Sequence, residues 1–452
     1  MKLDRRRFLG LGASGVALGM LGPVLRSPFA SSLFAAGGPL PAKKMLVIFM
    51  RGGNDGVNTV IPYGDPEYND TNRPSLFIPD VDALDLGNGF AKLHPALSAL
   101  HDVHLAGDLA TIHRVAYAGQ SRSHFDSQHF WENAIPGSDL EEGWLYRHIV
   151  ETLDLQANPL AAASISSQLM LLFKGSTIIP HIPSIANYRL GAPGSPESAK
   201  LLGNAPGMQP GRGLMGWYGQ ASNQVGYDEL VRNTGLALGS SLTTLEAAGV
   251  DPATYIPENG ATYPDVDNPE GFAAAAFPFF EQLRDAAMLL KLTDLQIAGL
   301  EISSFDTHNA QGAGNGAQAN LLAQIGHGIR SLSLDLQSIW NDVLVVTVSE
   351  FGRTSEENGS NGTDHGEASC MFVAGGSVNG GVYNCDATTW AAGDMFSTPN
   401  GRYVSHLTDF RGVLAECLAG HFGIGATTLD VVIPGYSGQA GNPTFASLGI
   451  LP

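Results

Sequence analysis

The chain has 452 residues, of which 44% are hydrophobic and 15% are charged, so it is long and apolar enough to bury a sizeable core. This balance excludes a disordered acidic chain and a coiled coil, while 56 glycines and 26 prolines indicate many turns and irregular connections. A formal net charge of −19 repels nucleic acid and anionic surfaces, so we expect no nucleic-acid partner.

The first segment, residues 1–36, is predicted to be an export signal. The basic stretch from Arg5 to Arg7 precedes a Gly- and Ala-rich apolar run that ends near Leu25, which resembles a twin-arginine signal. Pro23 interrupts the run, so we expect no stable membrane span, with an uncleaved anchor as the alternative. The expected partner is the twin-arginine export machinery, and the expected location is the periplasm or the exterior of the cell.

The remainder, residues 43–452, is predicted to be a single α/β domain. The apolar runs typical of buried strands are 45–50, 109–116, 297–303 and 343–348. The segments with helical character are 124–133, 274–292 and 314–339. Their alternation predicts a mostly parallel central sheet with helices on both faces. Residues 180–270 are rich in Gly, Pro and Asn with weak periodicity, and we interpret them as an inserted cap.

Polar residues follow the predicted strands, at the edge where open parallel sheets bind ligands. They are Asn54 and Asp55, the segment from Gln120 to His124, Asp306 with His308, and Glu350 with Arg353, followed shortly by Asp364 and His365. Carboxylate and imidazole groups suit one or two divalent cations such as zinc, manganese, magnesium or calcium. For each Asp/His pair taken alone, a solvated turn is the alternative interpretation.

Ser123 is the candidate nucleophile. It lies at the start of a predicted helix, where free N–H groups and the helix dipole favour an anion. The alternative for this residue is a plain helix N-cap.

The three cysteines are too few for a disulfide framework, although an exported protein can carry a single bridge. The expected pair is Cys370 with Cys385.

The strand-end residues belong to longer motifs. These are Gly52-Gly-Asn-Asp-Gly-Val-Asn58, Arg122-Ser-His-Phe-Asp-Ser-Gln-His-Phe130, Phe305-Asp-Thr-His308, and Ser349-Glu-Phe-Gly-Arg353 continuing to Gly362-Thr-Asp-His-Gly366. In this order, over residues 43–435, the sequence resembles domain-of-unknown-function family 1501. The resemblance implies an alkaline-phosphatase-like α/β fold within the phosphatase and sulfatase superfamily, whose members hold two metals beside a nucleophile.

The same resemblance implies a role for each motif residue. Asp55 would bind one metal together with Asp364 and His365. Asp306 and His308 would bind the second metal, with His406 as the candidate third ligand. Glu350 is an alternative to the Asp364 and His365 pair, because the superfamily's pair normally comes directly at a strand end.

For the substrate, the resemblance puts Ser123 in the nucleophile position. The expected substrate contacts are Arg122, His124, Arg353 and Asn54, with structural salt bridges as the alternative for the two arginines. The leading hypothesis is an exported metal-dependent hydrolase of phosphate or sulfate esters on a small molecule, glycan or lipid. The competing hypothesis is an exported binding or assembly protein that retains the scaffold and a metal.

Overall fold

The apolar run after Lys44 forms a central strand of an eight-stranded sheet in a computed structural model, which describes residues 43–190 and 227–452. The strands are β1 (Lys44–Met50), β2 (Val60–Pro62), β3 (Leu84–Asp85), β4 (Ala91–Leu93), β5 (Leu109–Ala116), β6 (Ala162–Ser164), β7 (Ile297–Ile302), β8 (Val343–Val348), β9 (Ser369–Ala374), β10 (Gly381–Tyr383) and β11 (Thr408–Asp409). The helices are α1 (Gly56–Thr59), α2 (Ser98–Leu105), α3 (His124–Asn133), α4 (Trp144–Thr152), α5 (Tyr227–Ala247), α6 (Phe277–Leu292), α7 (Ala317–Asp335), α8 (Phe410–Phe422) and α9 (Ala426–Val432).

The strands of the large sheet are mostly parallel, as the sequence predicts. Their order is β10-β5-β9-β8-β1-β7-β6, with β11 also pairing with β5. β1 is parallel to β7 and β8, whereas β9 is antiparallel to both of its neighbours, β5 and β8. The remaining β2, β4 and β3 form a small antiparallel sheet.

Helices cover both faces of the sheet, which confirms the predicted layering. Alternate residues of β1 enter two separate cores, with Leu46 in one and Val47 in the other, because successive strand side chains point to opposite faces. The first core takes its apolar side chains from α2, α6 and α7. The second takes them from α3, α4, α8 and α9. The sheet is therefore buried on both sides, as a parallel sheet requires.

The predicted strands and the helix at 124–133 agree with the observed bounds to within one residue. The two longer helices begin later than expected. Residues 274–276 form a 3-10 turn before α6, and α7 starts only after Gly316, whose φ of 119° is outside the helical region.

Part of the predicted cap at 180–270 is a helix, α5, where the sequence shows weak periodicity. The hydroxyl groups of Ser241, Thr243 and Thr244 each donate to the carbonyl four residues earlier, so these polar side chains are satisfied within the helix. Residues 191–226 of the cap and the predicted signal at 1–36 lie outside the described residues. Within the described ranges, no helix combines the length and hydropathy that crossing a bilayer requires.

Cys370 and Cys385 do not form the expected disulfide, and all three cysteines are free and buried. Cys370 lies in β9 and Cys385 follows β10, with β5 between these two strands. Strands two apart are separated by roughly 10 Å, which exceeds the distance of about 7 Å between Cα atoms that a disulfide spans. Burial also raises the pKa of Cys370 to about 12, so this thiol is unreactive in the folded protein.

We predict that a reducing agent leaves the midpoint of thermal unfolding unchanged, because there is no bridge to break. Alkylation after denaturation without reductant should modify all three cysteines, as counted by intact-protein mass spectrometry. A mass corresponding to a single modified thiol would show that a bridge exists.

Candidate metal centre

The loop between β8 and β9 joins two distant motifs at the carboxyl edge of the sheet. Because β9 is antiparallel to β8, the loop leaves the sheet and re-enters it at the same edge. Glu350 lies near its start and His365 near its end. An antiparallel bridge between Arg353 and His365 holds the two halves of the loop together. Residues at the two ends of the loop, which are separated in the sequence, are therefore close together in the folded chain.

Four side chains converge at this edge: His124, His308, His365 and Asp306, which we call the histidine cluster. The Oδ1 atom of Asp306 lies 3.1 Å from His308 Nε2 and 3.2 Å from His365 Nε2. His124 Nε2 lies 3.4 Å from the other carboxylate oxygen, Oδ2. Asp306 and His308 are 44% and 42% exposed, so the cluster is open to solvent on one side.

The outer nitrogen of each imidazole in the cluster is held by a group that only accepts hydrogen bonds. His124 Nδ1 lies 2.8 Å from Glu350 Oε1, and His308 Nδ1 lies 3.0 Å from Asp364 Oδ1. His365 Nδ1 lies 2.7 Å from the Arg122 carbonyl oxygen. Each Nδ1 therefore donates to its acceptor, while each Nε2 faces the Asp306 carboxylate and can ligate a metal ion once it has lost any hydrogen. Imidazole groups that ligate metals are held in this way.

Two of the inner nitrogens face each other closely. His308 Nε2 and His365 Nε2 are 2.9 Å apart, a distance that suits a hydrogen bond between the two rings and brings both nitrogens within reach of one metal ion. Burial, followed by the nearby Arg353 and His124 charges, lowers the pKa of His365, which favours its neutral form. Three imidazole nitrogens with one carboxylate oxygen suit zinc or a similar divalent ion.

Glu350 contacts the histidine cluster from its buried side. The residue is fully buried, and its Oε1 atom accepts hydrogen bonds from His124, the Gln128 amide and the Gly52 N–H, each at 2.8 Å. Burial by itself would raise the pKa of Glu350, but these bonds lower it overall, so the carboxylate is charged. The hydrogen bond from His124 to this carboxylate in turn raises the pKa of His124. Glu350 thus orients His124 and does not itself reach the centre.

Arg353 positions Asp306. Its side chain is fully buried, and its Nη2 atom donates to Asp306 Oδ1 at 2.6 Å. Its other hydrogen bonds go to the carbonyls of Gly52, Gly53, Phe305 and Thr363. Although burial acts in the opposite direction, this guanidinium lowers the pKa of Asp306 to about 2. The structure thus shows Arg353 in the salt bridge that the sequence leaves as its alternative role, with its side chain away from the surface.

Asp55 and Asn54 lie apart from the histidine cluster. The Asp55 carboxylate is buried and pairs with the guanidinium of Arg73 at 2.7 Å, while Gln311 donates to the same oxygen. Asn54 is also buried, and its side-chain oxygen Oδ1 accepts a hydrogen bond from Thr59 Oγ1 at 2.9 Å. The structure therefore does not join Asp55 to Asp364 and His365, nor does it expose Asn54 to a substrate.

Ser123 caps α3 and directly precedes His124. Its Oγ atom accepts one hydrogen bond, from the Asp126 N–H at 3.5 Å, and the residue is partly exposed. His406 has its Nδ1 atom 3.3 Å from Glu367 Oε1 and makes no contact with the cluster among the described interactions. The structure thus leaves Ser123 beside the centre and His406 outside it.

Arg402 is a residue that the strand-end argument does not find. Its guanidinium lies 3.9 Å from Asp364 Oδ2 and 5.6 Å from the centre of the Tyr403 ring. The guanidinium of Arg122 lies over the same ring, at 5.2 Å. No strand immediately precedes Arg402, so its sequence context gives no signal. The fold nevertheless puts two arginines at the rim of the centre.

Comparison with known families gives one result. Residues 245–424 match the family described as "Protein of unknown function (DUF1501)". This segment contains Asp306, His308, Asp364 and His365, whereas Ser123 and His124 precede it. No curated protein matches the chain.

We predict that Asp55→Asn lowers the free energy of unfolding by about 3–5 kcal/mol, because Arg73 is left buried without its charge partner. Chemical denaturation measures this change, and the metal content of the purified variant should equal that of the wild type. Asp80→Asn is the matched control. It removes a pair with Lys92 in which Asp80 is 63% exposed, and it should cost less than about 1 kcal/mol.

The pH dependence of this difference follows from the pKa of Asp55. Burial raises that pKa, but Arg73 lowers it more, so it lies below its ordinary value in the folded protein. The stabilisation by Asp55 is then fully present above about pH 4 and lost as pH falls further. The difference in the free energy of unfolding between the wild type and Asp55→Asn should therefore become smaller as the pH falls below about 4. A variant that loses metal but no stability would instead make Asp55 a ligand.

Proposed function

We propose that this chain, whose residues 245–424 match the DUF1501 family, is a metal-dependent hydrolase of phosphate or sulfate esters. The observation that carries the proposal is the convergence of three imidazole Nε2 atoms on the Asp306 carboxylate, each ring held through Nδ1. A divalent cation bound there would polarise the ester and stabilise the charge that develops as it breaks. The position of the cluster beyond the carboxyl ends of the strands agrees with an alkaline-phosphatase-like relation.

The donor set favours one cation per chain. The described residues contain one group of at least three closely spaced potential ligands, formed by His124, Asp306 and His365, and His308 adjoins it. Asp55, which a second site would need, is occupied by Arg73. The solvent-exposed side of the cluster leaves room for a substrate, as catalytic metal sites require.

The rim of the centre favours an anionic substrate group. Arg122 is exposed and forms no salt bridge within the described part of the chain, and the side chain of Arg402 is 57% exposed. Both stack on Tyr403, which is buried and restrains them. Guanidinium groups bind phosphate and sulfate oxygens well. These arginines offset locally the repulsion expected from a protein with a net charge of −19.

Ser123 is the proposed nucleophile. Its Oγ atom forms a bond to the phosphorus or sulfur atom while the ester bond breaks, and the hydroxyl proton leaves with the alcohol. A water molecule then replaces Oγ, which regenerates the serine and releases phosphate or sulfate. The N–H groups at the start of α3 and the rim arginines stabilise the anion in both steps.

We further propose that the protein acts in the periplasm or outside the cell. Support for this location comes from the twin-arginine pattern at residues 1–36.

We predict about one divalent ion per chain by elemental analysis of the folded protein. The double variant Asp306→Ala, His365→Ala should lose it, because two of the converging ligand atoms are gone. His406→Ala should retain it and serves as the control, since His406 contacts Glu367 instead. A folded wild-type protein without metal under replete conditions would favour the non-catalytic binding or assembly protein.

We predict that Ser123→Asn abolishes turnover of p-nitrophenyl phosphate and p-nitrophenyl sulfate without changing the metal content. Asn retains the helix N-cap but lacks the hydroxyl, whereas Ser123→Ala removes both and also costs about 1 kcal/mol of stability. Activity assays beside elemental analysis separate the two roles. Full activity in Ser123→Asn would mean that Ser123 is only a cap.

A further inference from the structure

A cavity of about 450 Å³ opens at the carboxyl end of β7, between α6 and α7. Its volume lies within the range of small-molecule binding sites in proteins. One wall is the turn Ser303–Ser304, and Ser304 has a φ of 87°, a conformation that non-glycine residues rarely adopt. Backbone strain of this kind concentrates at ligand sites because the surrounding structure must hold it in place.

The cavity is connected to the histidine cluster in two ways. Ser304 is followed closely in the chain by Asp306. In addition, Glu301 of the cavity wall pairs with Arg51 at 2.5 Å, and Arg51 donates to Gln128 at 3.0 Å. Gln128 in turn donates to Glu350, the residue that orients His124. If one part of a ligand binds in the cavity, the rest of the ligand is therefore close to the proposed centre.

The lining has the chemistry of a site for a neutral, hydroxyl-rich group. Glu301 is the one charged residue among the described lining residues, and its carboxylate is held by Arg51, which also pairs with Glu132. The side-chain amides of Gln282 and Asn320 line the cavity and have no hydrogen-bond partner within the described chain. Gln282 is only 9% exposed, and its amide lines the cavity, where a ligand can contact it. Phe279 adds an apolar surface.

We infer that this cavity binds the sugar part of a glycan-linked ester, so that the leaving alcohol of the proposed reaction is a sugar hydroxyl. The identity of the leaving alcohol rests on the proposed function, whereas sugar binding in the cavity does not depend on it. A lipid chain would leave the amides of Gln282 and Asn320 unpaired, which is unfavourable, whereas sugar hydroxyl groups donate to and accept from both.

The test is saturation-transfer NMR on the full chain with methyl glucoside, methyl galactoside and N-acetylglucosamine, beside octyl phosphate as the lipid-like probe. We expect at least one sugar to bind. Gln282→Leu, which keeps the volume of the side chain, should weaken that binding roughly tenfold through the lost hydrogen bonds. Asn320→Ala lies on the exposed side of the cavity, so it tests the same contact without disturbing the core.

Hydrolysis supplies the second measurement. For Gln282→Leu and Asn320→Ala, kcat/KM should fall for a phosphate or sulfate ester of the bound sugar but stay unchanged for p-nitrophenyl phosphate. Sugar binding that is lost in these variants supports the inference even if no ester is hydrolysed, in which case only the proposed reaction fails. Binding of octyl phosphate without any sugar, or sugar binding that neither variant weakens, would overturn the inference.

Discussion

The buried guanidinium of Arg353 joins the loops that carry the candidate ligands. It donates to carbonyl groups of the loops after β1, β7 and β8, and to the Asp306 carboxylate. A planar group with five donors suits this task, because it meets several carbonyls in fixed directions while its charge fixes one carboxylate. Gly52 permits the close approach, since a Cβ atom there would collide with the Asp306 backbone. The geometry of the centre depends on this contact.

The orientation of the three imidazole rings in the histidine cluster depends on the groups that contact their outer nitrogens. Glu350, Asp364 and the Arg122 carbonyl each hold the Nδ1 atom of one imidazole and so fix the orientation of that ring. Two of these partners belong to the same loop between β8 and β9. The loop therefore supplies His365, whose Nε2 faces the centre, as well as the groups that orient His124 and His308. The sequence offers Glu350 and the later pair as alternative ligands, and in the structure Glu350 and Asp364 contact the outer nitrogens of His124 and His308.

Charge is distributed unevenly over this acidic protein. Asp55 and Glu350 are buried carboxylates whose charge is matched by Arg73 and by hydrogen-bond donors, so they add little to the field at the surface. The exposed charges at the rim include Arg122 and Arg402, both stacked on Tyr403. The cavity at the carboxyl end of β7 is lined mainly by amides, hydroxyls and apolar groups. The proposed substrate, with an anionic group at the centre and a neutral sugar in the cavity, matches this distribution.

The sequence by itself determined the layered α/β architecture, the strands at β1, β5, β7 and β8, and the resemblance to the DUF1501 family. It did so because buried parallel strands are continuous apolar runs and their carboxyl ends share one edge. The same argument put Asp306, His308 and His365 among the candidates. Only the tertiary structure decided that Asp55 pairs with Arg73, that Arg353 is buried, and that Arg402 reaches the rim. Such contacts join loop segments with no local periodicity, so they form only when the chain folds.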